Sequence, residues 1–115
     1  MILAMCGICY IGSVVWSHHM FTVGIEIDSR VYFMCCTMLI PLPTGCKMFN
    51  WLCTYVCCYG SYHAYNVLII YFKYFLGMFL MGGSGGLILG NNVVDISVHD
   101  SYYVISHFHM VLSLW

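Results

Sequence analysis

Residues 64–89 read AYNVLIIYFKYFLGMFLMGGSGGLIL, an apolar run interrupted by a single charge at Lys73. A bilayer core of about 30 Å takes roughly 20 helical residues to cross, so this stretch predicts one complete transmembrane helix. Before it, residues 31–59 make a second apolar run of spanning length. Residues 1–17 and 102–115 are apolar too, but the chain ends cut both short. The expected architecture is all-α: a polytopic transmembrane helical bundle with about four helices, two of them truncated. The whole of residues 1–115 would belong to a single transmembrane domain, as a fragment of a larger bundle.

Composition points the same way. Of 115 residues, 63% are hydrophobic and only 6% charged, and the mean hydropathy is +0.91. A soluble domain of this size has too little interior for so much apolar surface, whereas lipid accommodates it. The N-terminal run lacks a basic flank and a small-residue cleavage site, which argues against a removable signal peptide. Three basic residues and a net charge of -1 exclude the phosphate-binding patch that a nucleic-acid partner would require. The eight cysteines sit within apolar runs and read as small hydrophobes rather than as a disulfide framework. Cys6-Gly-Ile-Cys9 matches half of a redox or zinc motif, but no second pair completes it.

If each run crosses once, residues 26–30 and 91–101 share one membrane side, and the turn around Tyr59 and His63 lies opposite. The acidic residues Glu26, Asp28, Asp95 and Asp100 then fall together, with Lys47 and Lys73 toward the other side. Pro41 and Pro43 predict a kink in the second run, opening space beside Thr44 and Lys47. The glycine-rich segment of residues 81–86 reads as a close helix-packing face in preference to a flexible break.

Five of the six histidines, namely His18, His19, His99, His107 and His109, gather on the acidic side. A buried imidazole costs about 1–3 kcal/mol unless it is hydrogen-bonded or ligated, so such gathering requires partners. His18 and His19 would point about 100° apart on a regular helix, and can converge only where the helix ends. Spacing leaves a metal pair and an interfacial pair both open. His107 and His109 are separated by about 200° around a helix and therefore face opposite ways. One helix can thus ligate two different cofactors, or bond to two neighbouring helices. His99 and Asp100, with Asp95 four residues earlier, offer imidazole and carboxylate donors suited to magnesium or manganese, or form a solvated loop pair. Lys47 lies about 25 Å along the helix from Arg30, with Thr44 and Thr37 on its flank. That stripe reads as a proton path toward the His18 level, or as a snorkelling lysine beside back-bonded threonines.

The stretches VVWSHHMFTVG (residues 14–24), PTGCKMFNW (residues 43–51) and LGNNVVDISVHDSYYVISHFHMVLS (residues 89–113) resemble, in order and spacing, the haem-copper oxidase core subunit of the cytochrome c oxidase type. The resemblance covers the chain except about residues 53–78, which are alike only in being hydrophobic. It implies that His18 and His19 are two of three copper ligands in the oxygen-reducing centre. His107 would hold the haem of that centre and His109 the second, low-spin haem, the cofactors being two haem a groups, copper and magnesium. His99 and Asp100 would bind the magnesium, Asp95 would sit beside a haem propionate, and Lys47 with Thr44 would line the proton pathway.

The activity so implied is reduction of O2 to water with electrons from cytochrome c, coupled to proton pumping. The partners would be cytochrome c and other oxidase subunits, including the copper-bearing electron-entry subunit. The site would be the mitochondrial inner membrane, or alternatively a bacterial plasma membrane. The remaining ligands would precede Met1, so the fragment alone is expected to be inactive. Quinol oxidases share the paired histidines and the HFH run, but the HDSYY run of residues 99–103 resembles the cytochrome c enzymes. Paired cysteines at 35–36 and 57–58 depart from the small or aliphatic residues usual in the family. A non-catalytic metal channel or anchor and an inactive gene fragment are the competing readings.

Overall fold

The computed structural model describes residues 1–57 and 66–113. The expected turn around Tyr59 and His63 lies outside them, as do Cys58 and Trp115. Among the described residues every regular element is helical: α1 (Ile2–Ser13), a 3-10 turn (Trp16–His19), α2 (Ile27–Leu39), α3 (Pro41–Cys57), α4 (Val67–Leu89), α5 (Asn92–Val98) and α6 (Tyr102–Leu112).

The second apolar run begins earlier than its composition suggests. Ser29, Arg30 and Asp28 are already inside α2, with Asp28 in the first turn, where a carboxylate complements the positive end of the helix dipole. Gly24, at φ +81°, allows the reversal that delivers the chain to this start. At the other end of α2, Ile40 keeps helical angles of φ -58° and ψ -40°. Pro41 then supplies no N–H, and the expected interruption falls there, with both prolines in the first turn of α3. A missing donor costs little at that position. The regular helix is broken only at Ile40, and Ile27–Cys57 makes a 31-residue candidate span.

The 23 residues of α4 form the second candidate span. Asn66 caps it by accepting from the Leu68 amide at 3.1 Å. The neighbouring α1 and α6, at 12 and 11 residues, are shorter than a span. Within the polar segment 91–101, Asn92–Val98 winds into α5, and His99 and Asp100 lie in the turn after it. Asn91 caps this helix by accepting from the Val93 amide at 3.1 Å, and the left-handed backbone of Asp100, φ +56°, turns the chain into α6.

Helix packing follows the small residues. α6 lies on α4, where a Cβ at Gly82 would come within 2.9 Å of Val111 and one at Gly86 within 2.7 Å of His107. The glycine-rich segment is thus a close-packing face, as its composition predicts. Gly90 admits Thr37 of α2 in the same way, at 2.8 Å. Trp51 of α3 meets Phe75 of α4 with ring centres 6.0 Å apart. The assembly measures 57 × 31 × 16 Å, about one helix layer thick.

Candidate metal and haem site

The two adjacent histidines reach one point because the backbone there is a 3-10 turn and not an α-helix. Val15 and Phe21 are buried on either side of the turn, Phe21 completely. Trp16 lies edge-on to Phe33 of α2, ring centres 5.1 Å apart, which fixes the turn against that helix. The Nε2 atoms of His18 and His19 are then 2.8 Å apart, their rings inclined at 76°. Metal–imidazole bonds are about 2.0–2.1 Å long, so both nitrogens can bind one ion.

Thr37 decides which nitrogen of His18 is available. Its hydroxyl donates to the Phe33 carbonyl at 2.7 Å. Having spent its only hydrogen, it accepts from His18 Nδ1–H at 3.0 Å. The lone pair of His18 is therefore on Nε2, facing His19. Burial, followed by the like-charged neighbours His19 and His107, lowers the pKa of His18 to about 4. Burial likewise lowers that of His19, against the pull of Asp95. Both rings are held in the neutral form that ligates.

On α6, His107 faces α4 and His109 faces away, exposed, as their spacing requires. His107 Nδ1–H donates to the Gly82 carbonyl at 2.8 Å. His109 Nδ1–H donates to the Ile105 carbonyl of its own helix at 2.8 Å. A carbonyl can only accept, so each ring carries its lone pair on Nε2, in the arrangement found for ligating histidines. His107 is the smallest of the causes that lower the pKa of His18 and of His19.

Asp95 of α5 borders the same region. It is only 7% exposed, and burial raises its pKa while His99 and His19 pull it back. Its Oδ2, together with Arg30 Nε of α2 and Asn92 Oδ1 of α5, is buried with no hydrogen-bond partner among the described residues. Buried polar atoms are rarely left unsatisfied; Arg30 Nε is a donor, whereas Asp95 Oδ2 and Asn92 Oδ1 are acceptors, so they call for partners of opposite kinds. His99 Nε2 and Asp100 Oδ2 are 3.3 Å apart and open to solvent, a donor pair that suits a divalent cation.

The lysine stripe is joined to the site at its upper end only. Thr37 touches His18, but Thr44 back-bonds to the Ile40 carbonyl at 3.2 Å. Lys47 Nζ lies 5.2 Å from the centre of the Trp51 ring. The cysteines are free and, except for half-buried Cys36, exposed among the described residues. They sit on the outer faces of the helices. No group of three or more His, Cys, Asp or Glu converges among the described residues, so the paired histidines provide two ligands.

Three contributors escaped the sequence reading: the Gly82 carbonyl, Arg30 and Asn92. A backbone acceptor leaves no side-chain signal. Arg30, the only arginine in so apolar a chain, was the one signal available.

The family described as "Cytochrome C and Quinol oxidase polypeptide I" matches residues 1–115. Cytochrome c oxidase subunit 1 of Plasmodium berghei is 52% identical over 115 residues, covering 99% of this chain and 24% of that protein. The subunit 1 of Pecten maximus is 46% identical over 114 residues, covering 99% and 23%. That of Debaryomyces hansenii is 47% identical over 114 residues, covering 99% and 21%. The chain thus spans about a quarter of the length of these curated relatives. With its transmembrane helices and its converging histidines, the chain belongs to the cytochrome c and quinol oxidase polypeptide I family.

Proposed function

We propose that this chain is part of the catalytic subunit of a cytochrome c oxidase of the mitochondrial inner membrane. That enzyme reduces O2 to water with electrons from cytochrome c and moves protons across the membrane. The observation that carries this reading is the convergence of His18 and His19, 2.8 Å apart at Nε2. His18 and His19 would hold copper, His107 the haem next to it, and His109 the second haem on the far side of α6. When bound, haem iron and copper together supply the electrons for reducing O2 without releasing partly reduced products.

The chain's own residues prepare that site. Thr37 and the Gly82 carbonyl fix the tautomers of His18 and His107 and aim each Nε2 lone pair. Asp95 sits beside a haem propionate, and His99 with Asp100 holds magnesium. Lys47 and Thr44 pass protons inward from the opposite side, along the stripe that ends at Thr37. Electrons enter from the copper-bearing partner subunit.

The test uses the complete oxidase purified from its membrane, with metal analysis and a reduced-minus-oxidised spectrum. Two haems and copper at the paired histidines are expected, and His18→Asn is expected to lower the copper content while leaving the low-spin haem band. Absence of haem bands from the folded enzyme would remove the oxidase reading.

A further inference from the structure

Lys47 and Trp51 are one turn apart on α3, inside a candidate membrane span. Long side chains on a helix lean toward its N-terminus, so the indole of Trp51 reaches back over the turn that carries Lys47. The ammonium nitrogen of Lys47 is 5.2 Å from the centre of that ring. The ring is also held from α4, where the centre of Phe75 lies 6.0 Å away with the two planes at 55°. Both Lys47 and Trp51 are half-buried.

A ring face attracts a cation but offers no basic atom, whereas a carboxylate would take up one of the ammonium's protons in a hydrogen bond. The ring therefore stabilises the ammonium at depth and leaves its three N–H groups free. Thr44, one turn earlier on the stripe, gives its hydrogen to the Ile40 carbonyl at 3.2 Å and keeps its oxygen lone pairs for an incoming donor. Without the ring, a lysine within a span snorkels toward the nearer membrane surface. Cys57, the last residue of α3, is ten residues beyond Lys47, about 15 Å along the axis. Travel in that direction leads off the stripe, away from Thr44 and Thr37.

We propose that Trp51 is a positioning residue for Lys47: its ring seats the ammonium on the polar stripe, one turn from Thr44, and keeps it from snorkelling toward the Cys57 end of α3. This role rests on Lys47 and Thr44 forming the proton route. A desolvated cation–π contact with Trp, the best ring for it, multiplies the seated population by about 30. Transfer from the seat scales with that population.

The test follows the reduction of both haems by stopped-flow spectroscopy in the complete purified oxidase, each variant first checked for wild-type haem bands. Trp51→Leu and Trp51→Met remove the ring face, the second with a flexible side chain that still packs on Phe75. Each is expected to slow reduction of the oxygen-side haem by about 30-fold, with electron entry into the other haem as in wild type. Trp51→Phe, which keeps a weaker face, is expected to recover part of the rate. Added to Lys47→Met, Trp51→Met is expected to change nothing more, because a residue that acts through Lys47 has no effect in its absence. A wild-type rate in Trp51→Met would overturn the role of Trp51, and so would further slowing when it is added to Lys47→Met; either result leaves the route itself standing. A wild-type rate in Lys47→Met would instead remove the route, and the seat with it.

Discussion

Thr37 carries two hydrogen bonds in opposite directions, and the order in which they are assigned fixes the chemistry of His18. Replacing it by Val keeps the shape but removes the acceptor for His18 Nδ1–H. Loss of such an outer-shell partner typically weakens metal affinity by about 10–100-fold. Thr37→Val in the complete enzyme is therefore expected to lose copper at lower chelator concentration, with Thr37→Ser retaining it. A copper-to-haem ratio that follows wild type throughout the titration would deny Thr37 this positioning role. Lys47 is tested by Lys47→Met, which should slow reduction of the oxygen-side haem by about 10²-fold, within the range for a lost proton-transfer group. Stopped-flow spectra should show electron entry into the other haem preserved, and unchanged turnover would take Lys47 out of the mechanism. At this scale the opposed faces of His107 and His109 were readable from spacing alone, since helical geometry fixes them. The convergence of His18 and His19 was not, because it depends on a 3-10 turn that packs against α2 through Trp16 and Phe33.

The glycine-rich segment of α4 acts through particular positions rather than as a flexible stretch. A Cβ at Gly86 would stand 2.7 Å from His107 Cε1, whereas one at Gly83 meets nothing within 4 Å. Gly86→Ala is therefore expected to displace the His107 ring, at a cost of about 1–3 kcal/mol for overpacking. It should shift the spectrum of the haem on that ring. Gly83→Ala should leave the spectrum unchanged and hold or raise Tm, since alanine favours a helix interior over glycine. Identical spectra for the two variants would show that the fit of α4 on α6 does not position His107. The packing role was legible in the composition, but which glycine faces His107 was not, because the sequence does not state the rotation of one helix on another. The break between α2 and α3 at Pro41 was legible because a missing N–H is a property of the residue itself. α5 was missed because Asn91 and Asp95, residues usual in loops, serve here as a cap and a first-turn acid.

The molecule is a layer only 16 Å thick, with Ile2, Leu3, Val67 and Leu68 each more than 70% exposed. Such surface is stable against lipid or further helices, not water. The 31 residues from Ile27 to Cys57 extend about 46 Å and the 23 of α4 about 35 Å, so each is long and apolar enough to cross the hydrocarbon core once. Two crossings return the chain to its starting side, which places Asp28 and α5 together and the start of α4 opposite. This arrangement puts His18, His19, His99 and Asp95 on one membrane side, and it requires that Lys47 approach from the other side. It can be measured with cysteines introduced at exposed Asp28, Val67 and Ser97 in the complete enzyme. A membrane-impermeant maleimide, localised by peptide mapping to separate it from native cysteines, is expected to reach positions 28 and 97 from one side and position 67 from the other. Labelling of 28 and 97 from opposite sides would break the single-crossing topology, and with it the proton route from Lys47 toward His18.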